Sequence, residues 1–209
     1  TEIAQELKKE GINAVFGGYE NKTLREVLHK EGIKIYAEIG LFVGTEHWKS
    51  HPESRPITRM GIPMEKEDWY GGVCPNQDWL RQKKLLSIQK LCKENQVDGI
   101  WLDFIRYPCH WEGKEPQLTD TCFCPVCLQK FQQQTGIKIP AKLKSTKMKA
   151  DWILSNHPDD WYNWRCSVIT DYVKETRKVI KKVNPKILVG LFGVPWTASD
   201  HDNAIYRII

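Results

Sequence analysis

The stretch that decides the fold is Gly99-Ile-Trp-Leu-Asp103-Phe-Ile-Arg106-Tyr-Pro108, an apolar run that ends in an acid, a guanidinium and a proline. Side chains alternate between the two faces of a β-strand. The pattern predicts a helix-packing face of Ile100, Leu102 and Phe104 and an opposite face of Trp101, Asp103 and Ile105. Because α/β barrels carry catalytic groups at the carboxyl ends of parallel strands, we expect Asp103 to be functional. The alternative is that Asp103 only pairs with Arg106.

Helical and strand-like patterns alternate along the chain, which predicts a parallel sheet wrapped by helices. Strands are expected at 13–17, 34–39, 99–105 and 187–192, adjacent in that order. The helices that alternate with them are expected at about 2–10, 23–31, 77–95 and 161–182, with Thr23 and Asn76 as the caps of the second and third. In the second strand, the alternation places Tyr36 and Glu38 on the face opposite Ile35, Ala37 and Ile39.

Two connections, at about 41–75 and 107–160, are far longer than usual. They follow the strands that bear Glu38 and Asp103, so we interpret both as elaborated βα loops that carry binding and catalytic residues. Four strands cannot close an eight-stranded barrel, and the chain begins with a helix. We therefore predict an α/β fold of the (β/α)8 TIM-barrel type, incomplete in this chain, with residues 1–209 as one domain.

The run Cys122-Phe-Cys124-Pro-Val-Cys127 places three thiols close enough to share one tetrahedral ion. The count of seven cysteines is odd, and the spacing favours a metal over disulfides. We predict Cys74 as the fourth ligand, with Cys109 and then His110 as alternatives. Four thiolates leave no open position, so the metal would be a structural zinc ion.

The composition excludes several classes of protein. A 209-residue chain with 41% hydrophobic and 27% charged residues is ordinary for a globular domain, and no apolar run is long enough to span a membrane. Net charge is +5, and the basic segment 138–149 lacks aromatic residues, so we interpret it as a solvated loop that does not bind nucleic acid. From the start at Thr1 we expect either a processed or excised piece or a chain whose true N-terminus is missing, so compartment and oligomeric state stay open.

Two segments carry a resemblance to known enzymes. The stretch 97–108 together with 122–131 resembles the glycoside-hydrolase-like TIM-barrel families. The Cys-Pro-Asn at 74–76 and the C-x-C-x-x-C-x-x-x-F run are similar to the zinc-binding segments of family 42 β-galactosidases. That resemblance implies a structural zinc ion on Cys74, Cys122, Cys124 and Cys127. Family 42 enzymes use an Asn-Glu pair where this chain has Leu102-Asp103, a position similar to the nucleophile of α-amylase-like and α-galactosidase-like barrels.

The leading functional prediction is hydrolysis of a glycosidic bond in an oligo- or polysaccharide by two carboxylates. Asp103 is expected to be the nucleophile or stabilising carboxylate, Glu38 its partner, and Arg106 the group that keeps Asp103 ionised. The aromatic residues expected to bind substrate are Tyr36, Trp101, Tyr107 and Trp196. Three polar residues beyond the last strand could enter the same binding site at the carboxyl ends of the strands: Asp200, His201 and Asp202.

Two other classes stay open. A non-catalytic carbohydrate-binding barrel would keep the aromatic residues and the structural zinc site but lack a second carboxylate within reach. A zinc-ribbon interaction module is the weaker hypothesis. Strands of the predicted barrel flank the cysteines, and a ribbon would fold without that barrel.

Overall fold

The computed structural model describes residues 2–66, 69–109 and 119–193, so Trp196, Asp200, His201, Asp202 and His110 lie outside the described residues. The elements run in the order α1 (Glu2–Lys9), β1 (Ala14–Phe16), α2 (Lys22–Lys30), β2 (Lys34–Gly40), α3 (Asp78–Glu94), β3 (Gly99–Asp103), α4 (Pro125–Thr135), α5 (Thr146–Asn156), α6 (Pro158–Val183) and β4 (Leu188–Leu191). The strands form one sheet in the order β1-β2-β3-β4. No described helix is long and apolar enough to cross a membrane.

All three neighbouring strand pairs are parallel, which confirms the predicted strand order. Partners in register share a face, so the pairing of Glu38 with Trp101 and of Trp101 with Gly190 aligns one face across three strands. The opposite face is apolar and fully buried at Ile35, Ala37, Ile100 and Leu102. The alternation predicted for β2 and β3 is therefore confirmed up to Asp103.

Strand β3 ends earlier than predicted, because Phe104 has a φ of 48°. This left-handed backbone is unusual for a bulky residue and turns the chain out of the extended conformation. The prediction that Phe104 shares the helix-packing face was therefore wrong. Its ring instead lies 5.7 Å from those of Trp69 and Tyr70, centroid to centroid.

Two helices begin at residues other than those predicted. Helix α2 is capped by Asn21, whose side-chain oxygen accepts a hydrogen bond from the Leu24 amide at 3.0 Å, so Thr23 lies inside the helix. Helix α3 begins two residues after Asn76, whose side-chain amide donates to Cys127 instead of capping. At α2 the cap is a better-placed asparagine two residues earlier in the sequence, whereas at α3 the side chain of Asn76 contacts a sulfur 51 residues away, which the local sequence pattern does not reveal.

The described residues divide into two compact units. The sheet unit holds the chain up to Leu41, Gln82–Asp103 and Val173–Gly193, and the cysteine unit holds Phe42–Arg81 and Phe104–Tyr172. The cysteine unit is thus built mainly from the two long connections. The single-domain organisation stays a prediction.

The sheet unit packs a small apolar core of Ala4, Leu28, Ile33 and Ile35. The spacing of these residues follows the predicted helical and strand periods, since α1 and α2 each place one apolar stripe toward the core. Arg25 on α2 is buried, and its guanidinium donates to the backbone oxygen of Tyr19. This contact fixes the loop that follows β1.

The cysteine unit has an aromatic core. Trp161 is 1% exposed and stacks on Phe123 with centroids 4.8 Å apart, while the edge-to-face contact of Trp161 with Phe131 is 5.0 Å. The two connections pair with each other through an antiparallel bridge between Thr58 and Thr121. The segment 138–149 is a loop only as far as Ser145, which caps α5, so the solvated-loop prediction was wrong for its second part.

Replacing Gly190 by alanine is expected to destabilise the sheet unit. A Cβ atom there would lie 2.3 Å from the Trp101 ring, which would have to leave its place over the strand. Overpacking of this kind costs about 1–3 kcal/mol. Urea unfolding measures the loss, with Gly193→Ala as the matched control, because a Cβ at Gly193 meets no described atom within 4 Å. Equal stability of the two variants would contradict this account of the packing.

Candidate active site and metal centre

The sheet unit brings Glu38 and Asp103 together at the carboxyl ends of β2 and β3. Asp103 pairs in register with Gly40, two residues beyond Glu38 on the same face. Because Gly40 has no side chain, the Glu38 carboxyl can reach toward Asp103, and the two side chains share a hydrogen bond. Burial, and then the charge and hydrogen bond of Asp103, raise the pKa of Glu38 above its usual range. The pair can therefore hold one acid and one carboxylate side by side.

Aromatic rings occupy the sheet face that carries the two acids. Tyr36 and Trp101 lie 4.8 Å apart, and Phe16 lies 5.2 Å from Tyr36 and 5.3 Å from Trp101, centroid to centroid. Phe192 extends the row at 5.8 Å from Phe16. Phe16 is 50% exposed and Phe192 is 42% exposed, whereas Tyr36 is buried. Of the residues predicted to bind substrate, Trp101 is thus the partly exposed one on this face.

Tyr19 is a residue of the site that the sequence patterns did not identify. It follows Gly17 and Gly18 in the loop after β1, at the same edge of the sheet as the ends of β2 and β3. Burial raises the pKa of its hydroxyl, and the charges of Glu20 and Glu38 add to that shift. The available signal was its position just after a strand.

Two other predicted site residues lie in the cysteine unit. The Arg106 guanidinium lies 5.1 Å over the Phe104 ring and 6.0 Å over the Tyr70 ring. Its pairing with Asp103 stays a prediction. Tyr107 is 2% exposed, with its hydroxyl accepting a hydrogen bond from Asn76 and Arg165 over its ring, so burial gives no support to its predicted contact with substrate.

We expect the Glu38 and Asp103 pair to lower the stability of the folded protein at neutral pH. A raised carboxyl pKa means that the folded state binds the proton more tightly than the unfolded state, so the pair weakens folding progressively as pH rises above about 4.5 and through the raised pKa. Glu38→Gln and Asp103→Asn should each raise Tm slightly at neutral pH and lose that advantage in acid. Thermal unfolding against pH measures this. The double variant should gain little more than either single variant, and additive gains would contradict direct coupling.

The second site is a cluster of four buried cysteines, which joins the C-x-C-x-x-C run to the other long connection. The sulfur atoms of Cys74, Cys122, Cys124 and Cys127 all lie within 4.8 Å of one another. The Cys74 sulfur is 3.4 Å from that of Cys127 and 3.7 Å from that of Cys124. The sequence predicts Cys74 as the fourth member, and the structure places its sulfur with the other three. Cys109, the alternative, is buried but does not belong to this cluster.

N–H groups surround the sulfur atoms. The Asn76 side-chain amide donates to Cys127 at 3.2 Å, the Ile57 amide to Cys122 at 3.4 Å, and the Cys127 amide to Cys124 at 3.5 Å. Hydrogen bonds from the neighbouring thiols, that of Cys122 first, lower the pKa of Cys124, whereas burial raises the pKa of Cys127. Cys124 is also the cap of α4, where the helix dipole favours negative charge. The N–H donors and the helix N-terminus therefore favour a thiolate at Cys124.

The spacing of the sulfurs fits a single tetrahedral ion. With Zn–S bonds of about 2.3 Å, the edge of a regular S4 tetrahedron is about 3.8 Å. The measured separations of 3.4 and 3.7 Å lie close to that edge. The donor set thus fits one zinc ion with all four positions filled by protein.

Solved structures similar to this chain include glycosidases and a hypothetical protein. An α-L-fucosidase from Paenibacillus thiaminolyticus is 15% identical with a TM-score of 0.60, over 91% of this chain and 28% of its own. A catalytic mutant of a GH42 β-galactosidase from G. stearothermophilus is 10% identical with a TM-score of 0.60, over 90% and 32%. A hypothetical protein from Ruminiclostridium thermocellum is 13% identical with a TM-score of 0.51, over 100% and 91%.

These similarities define the fold class. The sheet of four parallel strands is similar to part of the TIM-barrel domains of glycoside hydrolases, and the chain spans about a third of the length of those enzymes. Neither a protein-family model nor a curated protein sequence matches the chain. The fold is thus similar to that of the enzymes that the sequence resembles. Sequence identities this low do not show that the chain catalyses the same reaction.

Proposed function

We propose that the chain is part of a glycoside hydrolase that cleaves an oligo- or polysaccharide, with an incomplete (β/α)8 barrel as its scaffold. The observation that carries the proposal is the hydrogen-bonded pair of Glu38 and Asp103 at the carboxyl ends of adjacent parallel strands. Glycosidases need one protonated carboxyl and one ionised carboxyl on either side of the scissile bond. An acid pair in which one pKa is raised provides both states at once.

The raised pKa of Glu38 supports its proposed role as the acid. In this role Glu38 donates a proton to the glycosidic oxygen as that oxygen leaves with the electron pair of the broken bond. Asp103 supplies the carboxylate oxygen that bonds to the anomeric carbon. Glu38, now ionised, then removes a proton from water, whose oxygen displaces Asp103 and restores both groups. Arg106 remains the group proposed to support the charge of Asp103.

The proposed mechanism retains the configuration at the anomeric carbon. Inverting enzymes separate their carboxyls by about 6.5–9.5 Å to admit a water molecule, and retaining enzymes by about 5–5.5 Å. The direct interaction of Glu38 with Asp103 supports the shorter separation.

Hydrolysis of aryl glycosides by the full-length protein tests the proposal. Nitrophenyl β-galactoside and α-fucoside are the first substrates, because the similar structures carry those names. A wider panel of sugars in both anomeric forms follows. Turnover that Asp103→Asn removes supports the proposal, and no turnover with any member of the panel contradicts it.

A structural zinc ion on the four cysteines accompanies this proposal. The ion would hold together the two connections of the cysteine unit, since Cys74 belongs to one and the other three cysteines to the second. All four positions would be occupied by sulfur, so the ion takes no part in the hydrolysis.

A carbohydrate-binding barrel without catalysis is the second candidate. The observation that favours it is the exposure of Phe16 and Phe192 beside Trp101, because exposed rings can stack on the apolar faces of sugars. Binding of a sugar without turnover, unaffected by Asp103→Asn, would select this candidate.

A further inference from the structure

A cavity of about 270 Å³ lies in the cysteine unit, lined by residues of α4, α5 and the segment between them and by none of the four cysteines. Its lining is aliphatic at Leu128, Ile139, Pro140 and Leu143 and cationic at Lys144 and Lys149. None of the described residues that line it is acidic or aromatic.

Hydrogen bonds hold the wall of the cavity in place. The Gln132 side-chain oxygen accepts from the Ile139 amide at 2.9 Å, and its nitrogen donates to the Leu128 backbone oxygen at 3.3 Å. The Leu143 amide donates to the Pro140 oxygen at 3.0 Å and closes a turn. Both ends of the Gln132 amide are thus committed to structure, so the segment is pre-organised against α4.

Positive charge is concentrated around this cavity. The sequence from Gly136 to Ala150 contains five lysines and no acid. Lys147 is compensated by Asp151 at 2.5 Å, whereas Lys144 donates one N–H to the Ala141 oxygen at 3.0 Å and keeps two others. The two lysines that line the cavity are Lys144 and Lys149, so an anion bound there would lie close to their positive charges.

We propose that this cavity binds a small carboxylate with an aliphatic body, the carboxylate at Lys144 and Lys149 and the body against Leu128, Ile139 and Leu143. The volume lies just under the range of about 300–1,000 Å³ of drug-sized ligand sites, so the ligand is small. An acidic sugar fits less well, because the lining offers no ring on which a sugar could stack. The ligand site is separate from the proposed glycosidase chemistry.

Calorimetric titration of the full chain with octanoate tests the proposal, with octan-1-ol as the neutral analogue and glucuronate as the acidic sugar. We expect one saturable site for octanoate, at least about tenfold weaker binding of octan-1-ol, and weakening by salt. Lys144→Gln and Lys149→Gln should each weaken octanoate binding about tenfold, since each removes a charge-assisted contact. Lys142→Gln is the matched control, because Lys142 is exposed in the same segment and does not line the cavity.

Three results would overturn the proposal: no octanoate binding, equal affinity for octan-1-ol, or equal weakening by Lys142→Gln. Tighter binding of glucuronate than of octanoate would also contradict the proposal and would indicate a sugar acid as the ligand. Backbone amide shifts of Leu143 and Lys149 in a ¹⁵N spectrum place the bound ligand and guard against binding elsewhere. None of these outcomes depends on whether Asp103 and Glu38 hydrolyse a glycoside.

Discussion

Asp103→Asn is expected to lower kcat on a responsive glycoside by at least about 10³-fold while leaving sugar binding nearly unchanged. The amide has the same shape as the carboxylate but carries no charge and cannot form the glycosyl ester. Folding should be preserved, because the variant also removes the repulsion that raises the pKa of Glu38. Steady-state kinetics and sugar titration of the same sample measure the two effects separately.

Substrates with different leaving groups distinguish the proposed roles of Glu38 and Asp103. Glu38→Gln should cost far more with alkyl glycosides than with nitrophenyl glycosides, because a nitrophenolate leaves without a proton. Asp103→Asn should cost about the same with both. Glu10→Gln, at an exposed position in the turn after α1, serves as the control for loss of a carboxyl. Undiminished activity of Asp103→Asn would refute the assignment, and equal leaving-group dependence of the two variants would refute the division of roles.

The acid pair was predictable because strand period and strand order are both encoded locally. Alternation places Glu38 and Asp103 on one face, and the order of the strands makes β2 and β3 neighbours. The pairing register that puts Asp103 opposite Gly40, two residues beyond Glu38, appears only in the folded sheet. Tyr19 was missed because its part in the site comes from a loop conformation, with Gly17 and Gly18 both at positive φ.

The end of β3 marks where local reasoning failed. The pattern of alternating residues continues through Ile105, yet the backbone turns at Phe104. The rings of Trp69 and Tyr70, more than thirty positions earlier in the chain, contact the displaced phenyl ring. Contacts of that separation override a strand pattern, and no window of the sequence contains them.

The cysteine cluster was predictable to the level of its four residues and no further. Three of the sulfurs are close in sequence, and Cys74 lies at the end of the other long connection. The donors around them come from three separate places, Asn76, Ile57 and the first turn of α4. Asn76 had the sequence context of a helix cap, and only the tertiary fold shows that its amide supports a sulfur.

Cys124→Ser is expected to remove the metal and to destabilise the cysteine unit severely. Structural zinc contributes about 10–16 kcal/mol of binding free energy in small zinc domains, and that energy is available only to the folded state. The four cysteines belong to the same buried core as Phe131 and Trp161, so loss of the ion would force the remaining sulfurs to take up protons or the core to open. We expect metal content to fall from one ion per chain to nearly none and Tm to fall by more than about 10 °C.

Elemental analysis and thermal unfolding of the same preparations measure both effects, with Cys166→Ser as the matched control, because Cys166 lies in the same unit, exposed and outside the cluster. Cobalt exchanged for zinc should show the visible bands of a tetrahedral thiolate site in the wild type and in Cys166→Ser but not in Cys124→Ser. Chelation should reproduce the Cys124→Ser phenotype and added zinc should reverse it. A folded wild-type sample purified without chelator that contains no stoichiometric metal would exclude the site. Retention of one ion by Cys124→Ser with unchanged Tm would show instead that the core is stable without this thiolate and that the ion is held elsewhere.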